Sequence, residues 1–553
     1  MAYSLTTLAS VSSSAESRDK AFMTSKSQIT QYGTQFLRIG CFNNSWYICY
    51  FNMKSLTQTF RSWTFCCANK NLTTKDRQRA TAVVDDRYYP RYHLAPPYGW
   101  MNDPNGFSEF KNEYHLFYQF NPSSSLVPGI AHWGHAKSKD FFRWEHLPIA
   151  MYPDQWYDKG GVFSGSALVE NDKLYLYYTG NVNKPGQYPD HQQHQVLAIS
   201  TNGVDVKKEK INPIINGSNY QPDFRDPKVW KYRNTYYMVV GNSFQDEETD
   251  AILGRALLYT SKDKVKWNFA SVLAESDGSL GYMWECPDFF ELNGRFVLLF
   301  SPQGIPPSGY KYRNLYQTGY IVGDFDYQTN MFTPKTEFVE LDYGHDLYAT
   351  QTILDKARRR IVIAWMDMWD QNYAEAEDGF TGQMTIPREL SLDNNNRLIQ
   401  RPVKEIASIR GRTRFSGKGR AGAEIRLRDK SGEIHIKSSG TKDLDIWIQS
   451  TNESSNVLIS YNYKRGIVTL DRGGKDGVRR AKWRPSEQLD LKAYIDASSI
   501  ELFFGNGEVT FSSRFFPAGP IKVRIGESND VESISVTDLQ RSIDASYKIE
   551  SED

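Results

Sequence analysis

The stretch VENDKLYLYYTG, residues 169–180, sets the turn formers Asn171 and Asp172 ahead of a run of aromatic and aliphatic side chains. A turn followed by such a run marks a β-hairpin entering its second strand. The pattern recurs as FKNEYHLFYQF (110–120), KYRNTYYMVVG (231–241), ELNGRFVLLFS (291–301) and DKARRRIVIAW (355–365). The first apolar residues after the turns are Tyr114, Leu174, Tyr236, Phe296 and Ile361, spaced 60, 62, 60 and 65 residues apart. A second track runs beside it in KSKDFFRW, ISTNGVDV, TSKDKVKW and VGDFDYQT, placing Asp140, Gly203, Asp263 and Asp324 at intervals of 63, 60 and 61. Two hairpins per repeat make a four-stranded sheet, and five such sheets predict a five-bladed β-propeller. A long sandwich with evenly spaced strands would explain one track; two tracks of one period favour the propeller.

From residue 412 the pattern changes. RAGAEIRLRDKSGEIHIKSS, DLDIWIQS and SSIELFFGNGEVTFSSRFFP alternate in strand fashion between close Gly and Asn turns, without the long period. The expected organisation is all-β: a propeller over 86–402, a linker over 403–411 within IQRPVKEIASIRG, and a C-terminal β-sandwich over 412–547. Residues 1–85 are Ser- and Thr-rich, lack a charged-then-apolar leader pattern, and read as a disordered or targeting extension.

Bulk composition narrows the function. The 553 residues carry a formal charge of +1, so no nucleic-acid partner is expected. No apolar run approaches the length of a membrane span. Of five cysteines, only Cys286 lies beyond residue 70, so the globular body must hold together without an internal disulfide. Aromatic residues make up 14% of the chain, a composition suited both to β-sheets and to carbohydrate platforms.

Equivalent positions of a propeller's repeats are related by rotation about its axis. Residues just before the anchors should therefore converge on one mouth of the central channel. Counting back ten to thirteen residues gives Asp103 in NDPNG, Ser164 in VFSGSA, Asp226 in FRDPKVW, Glu285 in WECPDFF and Tyr348 in DLYATQT. Singly, Asp103 and Asp226 read as turn caps before proline, and Glu285 as a solvated acid. Together, three carboxylates at one phase repel one another, a cost that points to chemistry. The histidine pairs His132/His135 and His191/His194 have a spacing that on a strand faces opposite sides, so no metal and no cofactor is expected. Paired carboxylates without a metal, beside aromatic side chains, suit acid–base hydrolysis of a glycosidic bond.

WMNDPNGF, FSGSA, FRDPKVW and WECPDFF, in this order, closely resemble glycoside hydrolase family 32, the β-fructofuranosidases. The resemblance covers residues 88 to 540, and YIDASSIELFFGNGEVTFSSRFFP is similar to that family's sandwich signature. It implies a propeller followed by a sandwich, and a retaining enzyme acting on sucrose or related fructans. By the same resemblance Asp103 is the nucleophile, Glu285 the acid/base, and Asp226 with Arg225 the transition-state stabiliser. Asn102, Gln119, Phe163, Ser164, Tyr348 and Trp369 fall on substrate-contact positions, although Phe163, Tyr348 and Trp369 also read as ordinary core. Cys286 reads as a packing residue that shapes the surroundings of Glu285.

One segment departs from the pattern. Many relatives carry a Trp-Gly pair between YQFNP and HWGH, whereas SSSLVPGIA (123–131) is longer by one residue and has no Trp, which bears on preference for the group attached to fructose. Fructosyl transfer to another sugar, and a binding propeller without catalysis, stand as alternatives. The triplets at Asn71, Asn216 and Asn452 and the habit of the family lean towards secretion, with the cytoplasm as the alternative. Nothing in the sequence fixes an oligomeric state.

Overall fold

A computed structural model of the chain describes residues 86–187, 189–219, 223–450, 455–529 and 531–543. It also describes the backbone of Ile29–Tyr32, Gln35–Phe42, Ser45–Asn52 and Phe65–Cys66, four antiparallel strands of one sheet in a separate N-terminal unit, Met1–Arg79. The remainder of the 1–85 extension lies outside the described residues, as do the side chains of Cys41, Cys49, Cys66 and Cys67 and the triplets at Asn71 and Asn452.

The body is a five-bladed propeller followed by a sandwich. Each blade is built on four antiparallel strands, with Val339–Glu340 adding a short fifth to blade IV, and the inner strands are Gly99–Phe110 (blade I), Gly161–Glu170 (II), Phe224–Tyr232 (III), Met283–Leu292 (IV) and Tyr348–Leu354 (V). Each inner strand contacts the next, and that of blade V returns to blade I. An excursion from blade V adds a latch, because Phe380–Thr381 pairs in parallel with Gly99 and Trp100. The second strands explain why the repeat is continuously apolar instead of alternating. In Lys173–Asn183, Leu174, Leu176 and Tyr178 pack towards Phe117 and Trp133 of blade I, while Tyr175 and Tyr177 pack towards Val229 and Met238 of blade III. A blade between two neighbours buries both faces.

Every inner strand carries an irregularity near its start, and that of blade I carries a second, between Asn105 and Ser108. Pairing slips between Met101 and Pro104, Phe163 and Gly165, Arg225 and Lys228, Glu285 and Asp288, and Tyr348 and Thr350. These are β-bulges, which bend a strand and re-aim its side chains. Asp226, Cys286 and Ala349 in the bulges take φ of 69°, 48° and 47°, a left-handed conformation that costs free energy in non-glycine residues.

Two six-stranded sheets form the sandwich. The first sandwich strand, Arg410–Gly419, begins inside the stretch read as linker, since Arg410 already pairs with Leu539. In Ser499–Phe504 one face, Ile500, Leu502 and Phe504, fills the sandwich core, while Phe503 joins the cluster at the propeller's blades V and I. That second face is polar as well. Buried Arg388 of blade V reaches Glu501 and Asp342, and buried His93 lies between Asp496 (2.8 Å) and Glu501 (2.9 Å).

Burial lowers the His93 pKa, but the two carboxylates outweigh it and the net shift is upward from 6.5. A raised base stabilises the fold fully below its unfolded pKa and loses that contribution as pH rises through the folded value. We therefore expect His93→Gln to lower the thermal midpoint most below pH 6.5, with a difference that narrows at alkaline pH. Midpoints measured at pH 5.5 and 9 check this; a gap that widens with pH refutes it.

Candidate active site

The bulges define two rings of positions around the mouth of the channel. The last paired residue before each bulge is Met101, Phe163, Arg225, Glu285 or Tyr348, and the bulge itself carries Asp103, Ser164, Asp226, Cys286 or Ala349. Counting from the anchors put Glu285 in the slot of Asp103 and Asp226. The structure moves Glu285 one position earlier, level with Arg225 and Tyr348, because spacing alone does not reveal where a strand bulges. The three carboxylates still converge.

Asp103 is half-buried and acts as an acceptor on both oxygens: Ser164 Oγ donates to Oδ2 (2.6 Å) and Asn102 Nδ2 donates to Oδ1 (3.1 Å). Asn102 is fixed in turn by Trp100 Nε1 (3.1 Å). The turn supplies its own brace, since Asn105 Nδ2 donates to the Asp103 carbonyl (3.2 Å) and Asn105 Oδ1 accepts from Gly165 N–H (3.0 Å). Gly165 also lets its own strand lie close against the neighbouring strand of blade II, because a Cβ there would sit 2.0 Å from the Tyr177 carbonyl oxygen. Burial and then the charge of Glu285 raise the Asp103 pKa, against the hydrogen bonds from Ser164 and Asn102.

Asp226 is buried, with Oδ2 taken by the Cys286 N–H (2.9 Å), while its own N–H donates to Thr179 Oγ1 (2.9 Å). Burial pushes its pKa up to about 7; Arg225 opposes the shift, while Glu285 and Asp103 add to it. Cys286 Sγ lies 3.6 Å from Asp103 Oδ2, and burial among three carboxylates holds the thiol well above its usual range. A neutral thiol with these neighbours packs and does not attack.

Glu285 is held from both sides. Arg225 Nε donates to Oε1 (2.9 Å), while Gln303 Nε2 (2.8 Å) and the Tyr348 hydroxyl donate to Oε2. Arg225 is itself clamped by Asp223 and Gln193. The remaining expected residues divide. Gln119 commits its amide to the Val162 carbonyl (3.0 Å), and Phe163 is half-buried with its carbonyl accepting from Trp133 Nε1 (3.1 Å). Trp369 is half-buried and stacks on Trp100, ring centres 6.4 Å apart at 16°. Trp100, Trp365, Met368, Tyr348 and Cys286 form one apolar cluster against which Trp369 and Tyr316 pack.

Sequence reading missed Gln193, Asp223, Gln303 and Trp100. Asp223 had a visible signal, a fourth acid two residues before Arg225; Gln193 and Gln303 sit on neighbouring strands without a motif. Of the histidines, His135 is a core residue stacked on Phe117 (3.9 Å) and bonded to His115 (3.0 Å). The SSSLVPGIA segment lies beside the mouth, where the Ala131 carbonyl accepts from Val162 N–H and Ser125 Oγ donates to the Ala376 carbonyl, and leaves Leu126 and Ile130 exposed. No helix among the described residues is long and apolar enough to cross a membrane.

A propeller with clustered carboxylates at its mouth, followed by a sandwich, is the architecture of a glycoside hydrolase. The chain belongs to glycoside hydrolase family 32: the family's N-terminal domain matches residues 93–402 and its C-terminal domain residues 405–540. It is 38% identical to a sucrose-6-phosphate hydrolase of Escherichia coli over 449 residues, covering 80% of this chain and 92% of that one. It is 36% identical to a raffinose invertase of Escherichia coli, covering 80% of this chain and 92% of the relative. Among solved structures, a family 32 beta-fructofuranosidase of Bombyx mori superposes with a TM-score of 0.80 at 40% identity, over 85% of this chain and 98% of that one. A variant of that enzyme has been solved in complex with sucrose.

Proposed function

We propose that the protein is a retaining β-fructofuranosidase that removes the terminal fructosyl unit of sucrose or a related fructoside. The observation that carries the reading is the unequal setting of the three carboxylates on one channel mouth. Asp103 is half-buried with two neutral donors that orient it, the setting of a nucleophile. It would attack the anomeric carbon and form a covalent fructosyl intermediate. Asp226 is buried and tied to the Cys286 N–H, which keeps it from that attack; with Arg225 it would bind fructosyl hydroxyls as positive charge develops on the ring. Glu285, fixed by Arg225, Gln303 and Tyr348, would protonate the leaving oxygen and then activate water. Asn102 and Ser164 orient Asp103, and Phe163, Tyr348 and Trp369 would line the sugar site. Gln119 is placed to set the spacing of blades I and II through the Val162 carbonyl.

The names of the relatives divide between phosphorylated and plain substrates, and the apolar rim at Leu126 and Ile130 favours an uncharged sugar over a phosphate. The expected result in a panel of sucrose, its 6-phosphate, raffinose, inulin and levan is fastest fructose release from sucrose or raffinose. Faster turnover of the 6-phosphate refutes the substrate preference. With methanol in the reaction, a β-configured methyl fructoside supports retention, and an inverted product overturns it. Trisaccharides formed at high sucrose would instead identify a transferase.

A further inference from the structure

The excursion of blade V, residues 366–379, carries Trp369 to the mouth of the site, and its inner end is held by the sandwich. Arg514 closes the sandwich strand Val509–Arg514, and its side chain is wholly buried. Its guanidinium donates to Asp367, to Glu375 Oε1 (2.6 Å) and to the Ser498 carbonyl (3.0 Å). Its backbone N–H donates to Asp346 Oδ2 (2.7 Å), which also accepts from Arg472 (2.5 Å). The other oxygen of Asp346 accepts from the Tyr373 hydroxyl (2.8 Å), and that hydroxyl accepts from the Met368 N–H (2.6 Å). One phenol therefore joins the residue before Trp369 to the residue two before Tyr348, the partner of Glu285.

The side chains of Arg514, Asp367, Glu375 and Asp346 are wholly buried, and simple cohesion of the two domains needs no such link. Apolar contacts and a second buried cluster, Arg388 with Glu501 and Asp342, already serve that purpose. A buried charge group with unpartnered oxygens on Asp367 and Glu375 is weak evidence for stability, which makes a role in fixing geometry the better account of it.

We propose that Arg514 and Tyr373 are positioning residues through which the sandwich sets Trp369 and Tyr348 for the sugar. The inference rests on the fructosidase reading for its kinetic consequence but not for its structural one. Arg514→Lys replaces a planar fork that serves two acids with a point donor. Tyr373→Phe removes a single hydroxyl.

The experiment compares both variants with Arg388→Lys, a control at the other interface cluster, in sucrose hydrolysis and thermal unfolding. The expected result is a KM raised at least fivefold in Arg514→Lys and Tyr373→Phe, with kcat within about threefold of wild type. Arg388→Lys should lower the unfolding temperature and leave KM unchanged. The proposal is overturned if all three variants raise KM alike, or if the first two lose stability with KM intact. Acrylamide quenching of tryptophan fluorescence, read with and without Trp369→Phe, measures the setting of Trp369 without any substrate. If wild type releases no fructose but Arg514→Lys makes Trp369 more quenchable, the fructosidase reading fails and the positioning stands. Unchanged quenching alongside an active wild type overturns the positioning alone.

Discussion

Asp103→Asn should reduce turnover by on the order of a thousandfold or more while leaving the protein folded. An amide cannot form the covalent intermediate, yet it preserves the shape of the group and still accepts from Ser164 Oγ, 2.6 Å away in the native site, giving up only the acceptor that Asn102 Nδ2 uses. Stability should stay level or rise. Burial and Glu285 raise the Asp103 pKa, and a raised acid favours the fold only below its ordinary value, so at neutral pH its charge costs stability. Turnover of sucrose and the unfolding temperature, measured together, check both halves. A near-wild-type rate removes Asp103 from the role of nucleophile. Glu285→Gln provides the contrast. It should be slow on sucrose but regain its first step on a fructoside whose leaving group needs no protonation, whereas Asp103→Asn should stay slow on both.

Lys228→Met should destabilise the propeller strongly without adding any contact to the substrate. Below the carboxylates, Lys228 Nζ lies 2.9 Å from Asp288 Oδ2 and 2.6 Å from the Thr352 carbonyl, joining blades III, IV and V. Both side chains are buried, and Asp288 Oδ1 has no hydrogen-bond partner. Removing one partner of a buried pair leaves the other charge stranded, a loss of about 3–5 kcal/mol. Denaturant unfolding gives the figure directly. The double variant Lys228→Met with Asp288→Leu should recover part of it, and no recovery would mean that packing and the Thr352 N–H, which donates to Asp288 Oδ2 (2.9 Å), outweigh the stranded charge.

Much of this fold is legible in the chain because a propeller writes itself as a period. Each second strand repeats the same turn and the same doubly buried run, so Tyr114, Leu174, Tyr236, Phe296 and Ile361 identify the blades before any contact is known. The convergence of Asp103, Asp226 and Glu285 follows from that period. The phase of Glu285 does not, since a bulge shifts side chains by one position and leaves no mark on spacing. Arg514, Tyr373 and Asp346 were invisible for another reason. Their partners lie on strands and excursions outside the repeat, and the pairing of Arg514 with Asp346 spans 168 residues. Long-range polar contacts of this kind depend on how two domains dock, which no local pattern encodes.

The bulge shared by all five inner strands near their starts has a chemical consequence of its own. One backbone irregularity recurs around the axis, yet it presents Asp, Ser, Asp, Cys and Ala in turn. The scaffold is nearly rotationally symmetric, and the reaction it serves has no symmetry at all. In the proposed reaction, direction enters only through which side chain occupies which seat, in the bulge or in the paired position before it where Glu285 sits: an attacking group on one side of the sugar, a proton donor on another. Chemistry at this mouth can therefore be exchanged one seat at a time, while the strand that bears each seat stays as it is.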